Sequence, residues 1–226
     1  MTKPIAVITG SSRGIGRAIA LRLSADYEIV AVARSREDLQ TLAREIDQRG
    51  GVCRPCVADI TDADAVASTL GGVDAQVLVN NAGVGSIKPF LELTRDEWRR
   101  MVDVNFNALF DVTRAVLPAM IARQSGHVVV IGSISGRSAF AGGTCYAATK
   151  HAVMAFTECL LLEVRDAGVK VSVVNPGSVA TGFSGRGDGS GRLPAEAVAD
   201  VVAHVLATPA NVLIHRAEVR ALRKPT

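Results

Sequence analysis

Tyr146 and Lys150, in the stretch YAATK, stand four residues apart. On a helix, side chains at i and i+4 share one face with Cβ atoms about 5–6 Å apart, so the phenol and the ammonium come within mutual reach. A tyrosine hydroxyl titrates near pH ~10, and a neighbouring positive charge favours its phenolate. The pair therefore has the makings of a tuned proton donor and acceptor. Lowering the phenol by about three units requires roughly 4 kcal/mol of differential stabilisation, which a lysine and a bound cationic cofactor could share in a desolvated cleft. Such chemistry needs a helix, a cleft and a second reactant, and five residues alone specify none of them.

The positioning elements follow from hydrophobic periodicity. PIAVITG reads as a short buried strand, and GRAIALRLSA after it has helical spacing of its apolar positions. The alternation then repeats. EIVAVA, VCRPCVADI, AQVLVNNAG, HVVVIGS and VKVSVVNPG read as strands. REDLQTLAREIDQRG, DADAVASTL, one long segment over 95–126, and the segment opening at Tyr146 read as helices. Apolar residues make up 48% of the 226-residue chain and aromatics only 4%, so Val, Ala, Leu and Ile must build the interior. Such runs suit a parallel sheet covered on both faces. The expectation is one α/β domain over 1–226, a Rossmann-like doubly wound parallel sheet flanked by helices.

Between the first strand and first helix lies TGSSRGIG, in which Gly10, Gly14 and Gly16 allow close backbone approach and the helix start offers free N–H groups. This is the context of a dinucleotide pyrophosphate site, with Ser12, Arg13 and Ile15 completing the turn. An acid at the end of the second strand would bond the ribose hydroxyl of NAD. The strand ends instead in AVARSR, without an acid, and Arg34 with Arg13 could clamp a 2′-phosphate. NADP(H) is therefore expected in preference to NAD(H).

With these motifs in order, the chain resembles the short-chain dehydrogenase/reductase family from about Pro4 to Thr181. The resemblance rests on TGSSRGIG, ADI with Asp59, NNAG from Asn80 to Gly83, Asn105 in VNFNA, Ser133 in IGSISG, YAATK, and NPGSVAT from Asn175 to Thr181. It implies that Tyr146 passes a proton to a carbonyl oxygen as hydride arrives, and takes it back in the reverse direction. Ser133 would hydrogen-bond that oxygen. Lys150 would hold the nicotinamide ribose and lower the Tyr146 pKa, and Asn105 would keep a water in the proton path. Asp59 and Ile60 would line the adenine, Asn81, Ala82 and Gly83 the adenosine ribose, and Pro176, Gly177, Val179 and Thr181 the nicotinamide side. Trp98 and its apolar neighbours would pack a helix that in similar proteins joins a homodimer or homotetramer.

Two departures from the family pattern stand out. Gly132 occupies a position where relatives often have a second serine, which should alter packing more than chemistry. The region after Thr181 is short, and TGFSGRGDGSGRLP carries five glycines, so the substrate loop at about 182–193 is expected to be mobile. Arg186 or Arg192 in it could meet an acidic group, although solvated arginines are the simpler reading. The tail resembles the short NADP-dependent branch acting on 3-hydroxy acids, serine-like compounds or assorted ketones.

Other classes fare less well. The net charge of +3 is too small to imply nucleic acid, and the basic tail HRAEVRALRKPT reads as solvated. No apolar run approaches the ~18 residues of a membrane span, so no membrane partner and a cytoplasmic location are expected. Cys53 and Cys56 have CxxC spacing but no second ligand pair, and no metal is expected. Cys145 beside Tyr146 lacks an orienting acid and reads as packing, as does His127 at the start of an apolar strand. The leading expectation is an NADPH-dependent oxidoreductase of small ketones or aldehydes and their alcohols. Its rivals are an NADP-dependent dehydrogenase of a 3-hydroxy acid or serine-like substrate, and a cofactor-binding module without turnover.

Overall fold

The computed structural model describes residues 3–183 and 191–222; Arg186, with the rest of 184–190, and residues 223–226 lie outside that range. The described residues form seven strands and seven α-helices. The strands are β1 (Ile5–Thr9), β2 (Glu28–Ala33), β3 (Val52–Val57), β4 (Val77–Asn80), β5 (Gly126–Ile131), β6 (Val169–Pro176) and β7 (Arg216–Val219). Every pairing is parallel, in the order β3-β2-β1-β4-β5-β6-β7. The central strands are dry on both sides. Ala6 and Ile8 of β1 face one core layer and Val7 the other, the period of two that a strand imposes. Helices α1 (Gly14–Leu23), α2 (Arg36–Gln48) and α7 (Ala195–Leu206) cover the first layer, and α3 (Ala63–Leu70), α5 (Ala108–Arg123) and α6 (Thr144–Val164) the second. Helix α4 (Arg95–Val102) packs against α6. The expected doubly wound parallel sheet is the observed fold.

Local chemistry sets the helix starts. Ser35 caps α2 by accepting from Asp38 N, and Asp62 caps α3 through Asp64 N and Ala65 N. Thr94 and Glu97 form a reciprocal capping box on α4.

Three expectations need correction. The segment over 95–126 is not one helix: a π-helical turn, Asp103–Asn107, separates α4 from α5. The wider turn accommodates the buried Asn105, whose Nδ2 donates to Val84 O (2.9 Å) and Thr149 Oγ1 (3.1 Å) while its Oδ1 accepts from Val84 N (2.8 Å). The basic tail is not all solvated, because Arg216–Val219 forms β7 beside β6. It is an edge strand, with Arg216 and Glu218 outward and Ala217 and Val219 half-buried, and that alternation of charges hid it. Finally, the far end of the loop expected at 182–193 is anchored, since Leu193 pairs with Val179 in an isolated parallel bridge.

The CxxC pair sits on β3, the sheet edge where its Pro55 is tolerated. Cys53 packs against one core layer and Cys56 against the other, so strand geometry sends the thiols apart. Burial, with a smaller push from Cys56, raises the Cys53 thiol to about 11. No described helix is long and apolar enough to cross a membrane.

His127 is buried at the start of β5, with Nε2 2.8 Å from Ser172 Oγ, which itself donates to Ile214 O (2.7 Å). The imidazole is therefore held as a donor in its neutral form. Burial first, and Lys170 second, lower its pKa from 6.5 to about 4. The folded state thus binds fewer protons than the unfolded state between those values, and stability must fall as pH drops from 6.5 to 4. The full linkage is about 3 kcal/mol. Urea denaturation at neutral and acid pH should show a smaller loss in His127→Gln than in the native protein; equal losses would refute this assignment.

Candidate active site

The strand order reverses between β1 and β4, and their carboxyl ends diverge into a crevice. A cleft of about 1100 Å³ opens there, large enough for a dinucleotide and a small substrate. Its walls include the turn from Gly10 to Ile15, the segment after β4, the end of β5, Tyr146 and Lys150 of α6, and Pro176 to Thr181. Of the residues expected to act in catalysis or cofactor binding, all but Gly16 and Asn105 border it.

Gly16 lies beneath the turn. A Cβ on it would fall 2.3 Å from Gly10 O and 2.4 Å from Asn81 Nδ2, so no other residue fits. Asn81 Nδ2 donates to Thr9 O (2.9 Å) and Gly10 O (3.2 Å), while Thr9 Oγ1 accepts from Asn81 N (3.0 Å) and Ala82 N (3.1 Å). Hence the Asn81 side chain, expected along a ribose, is committed to tying the glycine turn to the β4 end. The start of α1 faces the cleft with Arg13 at its cap position and no side chain capping it. Its free N–H groups suit an anionic pyrophosphate.

At the adenine end, Asp59 Oδ1 accepts from Thr61 N (3.0 Å) and Thr61 Oγ1 (2.8 Å). The backbone bond from Thr61 is the main influence lowering its pKa, with Arg34 and Arg100 helping against burial. Arg34 Nη1 lies 3.7 Å from Asp59 Oδ2, with both side chains about half exposed. The sequence reading missed Asp96, Arg99, Arg100 and Asp103, which also line this wall. Their i, i+3, i+4, i+7 spacing was the available signal: a polar stripe on α4 and the π turn.

The reacting end is assembled by α6 and β5. Lys150, 6% exposed, donates from Nζ to Ile131 O (3.1 Å) at the end of β5, and burial lowers its pKa from 10.5 to about 8. Its Nζ stands 6.0 Å from the Tyr146 ring centroid. Burial raises the Tyr146 phenol above its ordinary value, and a hydrogen bond with Ser133 pulls the other way. The expected lowering of Tyr146 is thus not what its surroundings give: burial raises the phenol, and Lys150 Nζ donates to a carbonyl. Ser133 N donates to Asn175 Oδ1 (3.1 Å), and Ser133 Oγ accepts from Ser135 N (3.1 Å), which holds the serine in place. Asn105 and Lys150 bond to other partners, and both border a second cavity of about 10 Å³, the size of roughly one water. Among the described residues no cluster could hold a metal ion.

Gly132 has its own reason. A Cβ there would lie 2.2 Å from Asn175 Oδ1 and 3.0 Å from Val173 Cγ2, so a side chain would expel the group that holds Ser133. Gly132→Ala should cost about 1–3 kcal/mol in urea denaturation. It should also lower turnover while cofactor affinity holds; unchanged stability and turnover would show that Asn175 does not position Ser133.

Comparison with known proteins places this geometry. Residues 4–188 match the family model described as short chain dehydrogenase. An uncharacterized oxidoreductase of Staphylococcus aureus (strain MW2) is 34% identical over 230 aligned positions, covering 97% of this chain and 98% of that protein. Among solved structures, an alcohol dehydrogenase from the archaeon Thermococcus sibiricus, complexed with 5-hydroxy-NADP, superposes with a TM-score of 0.92 at 30% identity, covering 99% of both chains. The closed form of serine dehydrogenase complexed with NADP+ gives 0.91 at 29% identity, covering 98% of this chain and 96% of that one. A family match running through the glycine turn, Ser133, Tyr146 and Lys150, on a fold shared along its length, means that this chain belongs to the short-chain dehydrogenase/reductase family of oxidoreductases.

Proposed function

We propose that the protein interconverts a ketone or aldehyde and its alcohol with NADP(H), preferred over NAD(H). One observation carries the reading: the Ser133 and Tyr146 hydroxyls and the buried Lys150 line the same cleft as the glycine turn. The cradle fits a dinucleotide, since the space a Cβ would fill at Gly16 is taken by the turn itself and leaves the α1 amides open. Arg13 and Arg34 supply positive charge where an adenosine 2′-phosphate would lie, and the neighbours' NADP complexes support binding of a nicotinamide dinucleotide. The nicotinamide supplies hydride in reduction and accepts it in oxidation.

The chain's own residues handle the proton. Tyr146 donates its phenolic proton to the substrate oxygen as negative charge grows there, and Ser133 hydrogen-bonds the same oxygen. Burial keeps the phenol protonated at neutral pH, the form that donates in reduction. Lys150 offers its ammonium to ribose hydroxyls on one side and to the small cavity beside Asn105 on the other, a route for returning the proton. A 3-hydroxy acid or serine-like substrate is the second reading, supported by the likeness to serine dehydrogenase and by Arg192 in the cleft wall. A non-catalytic module has no use for Asn105, Ser133, Tyr146 and Lys150 together.

Steady-state NADPH oxidation against activated ketones, aldehydes and 3-oxo esters, with NADH in parallel, tests the assignment. Tyr146→Phe should retain NADPH binding and lose about 10²–10⁴ in turnover; a variant that turns over normally would refute the role. Arg34→Ala should raise KM for NADPH about tenfold, roughly 1.4 kcal/mol, with little change for NADH. Equal effects on both cofactors would deny Arg34 a part in the preference.

A further inference from the structure

The cleft that the Ser133 and Tyr146 hydroxyls line also contains two phenylalanines, although aromatics are only 4% of the sequence. Phe140 is 40% exposed and Phe183 41%, and both border the cleft with Val84, Ile87 and Ile134. A phenylalanine ring left half in water forgoes burial that the fold could have used. Two on the rim of one reacting centre point to a ligand that covers them.

The rings are seated by construction. The Phe183 ring centroid is 5.8 Å from that of Tyr146, at an interplanar angle of 59°, within the range of favourable aromatic pairs. Its edge rests on Gly85, where a Cβ would come within 2.7 Å of Phe183 Cε1. The Phe140 ring rests likewise on Gly143, where a Cβ would be 2.5 Å from Phe140 Cζ. Lys88 N donates to Gly142 O (3.1 Å), tying the loop that carries Gly85 and Ile87 to the loop that carries Phe140. Lys88 is itself held by an ion pair with Glu97 (2.7 Å). Aromatic rings and aliphatic side chains, seated on glycine backbone, thus border the cleft that Ser133 and Tyr146 line.

We propose that Phe140 and Phe183 are specificity-determining residues, and that they receive a flat apolar group, an aryl ring, attached to the substrate's carbonyl carbon. The inference rests on the oxidoreductase reading above and narrows its substrate class. The ring stacks on or against the two phenylalanines while its carbonyl oxygen meets Ser133 and Tyr146. A small hydroxy acid would leave both phenylalanine rings wet.

Binding and turnover are measured separately. Saturation-transfer difference NMR on the NADPH-loaded protein, with 1-phenylpropane-1,2-dione and butane-2,3-dione as probes, reports contact without requiring reaction. The aryl probe should bind the native protein more tightly, and Phe140→Ala and Phe183→Ala should each weaken it at least several-fold. In turnover, each variant should lose about tenfold in kcat/KM for the aryl dione, mainly through KM, with the aliphatic dione within about twofold. Aryl binding that depends on both rings, without turnover, would sustain the pocket and sink the reductase reading. No aryl preference in binding, equal losses on both probes, or a native preference for serine or 3-hydroxybutyrate over aryl alcohols would overturn the proposal.

Discussion

The site depends on how two strand ends are clasped. Where the sheet order reverses, the chain ends of β1 and β4 would diverge, and Asn81 and Thr9 hold them together through four hydrogen bonds. The clasp leaves no volume for a side chain at Gly16, which brings the start of α1 up against the crevice. The uncapped amides at the start of α1 can meet an anion because of that approach. The same strand ends place Asn80 against Thr113 of α5 and lead into Val84, which Asn105 grips, so the clasp also reaches the floor of the reacting end.

The second constraint is desolvation. A lysine almost without solvent exposure is costly, and its depressed pKa corresponds to roughly 3 kcal/mol of disfavoured charge. Ile131 O offsets part of that cost. The phenol of Tyr146 responds to the same dryness in the opposite sense and keeps its proton. One environment therefore pushes the two groups of YAATK toward neutrality. Ser133, held by Asn175 and Ser135, supplies the local polarity on the phenol's side.

Much of this was legible in the residues. The strand-turn-helix context of Gly10 to Gly16, the four-residue spacing of Tyr146 and Lys150, and the aliphatic strands all reflect periodicities that the fold cannot evade. The π turn was not legible, because residues 95–123 keep a helical apolar pattern on both sides of it and the widening answers to Val84 and Thr149, partners far away in sequence. Nor was β7, whose edge position lets charged residues alternate with small apolar ones. The direction of the Tyr146 shift was missed for a related reason: spacing places the lysine nearby, but only the packed structure shows Ile131 O taking its ammonium.

The central claim is that the cleft stores Tyr146 as a protonated donor. The chain has two tyrosines, Tyr27 and Tyr146, so ring-carbon-labelled tyrosine NMR gives two resonances, assigned by Tyr146→Phe. The decisive measurement is the titration of the Tyr146 resonance. The account predicts that it remains in the phenol form at pH ~10, where an unperturbed tyrosine is half ionised. A midpoint well below that value in the protein without cofactor would contradict it, and would mean that the Lys150 charge, rather than burial, governs the phenol.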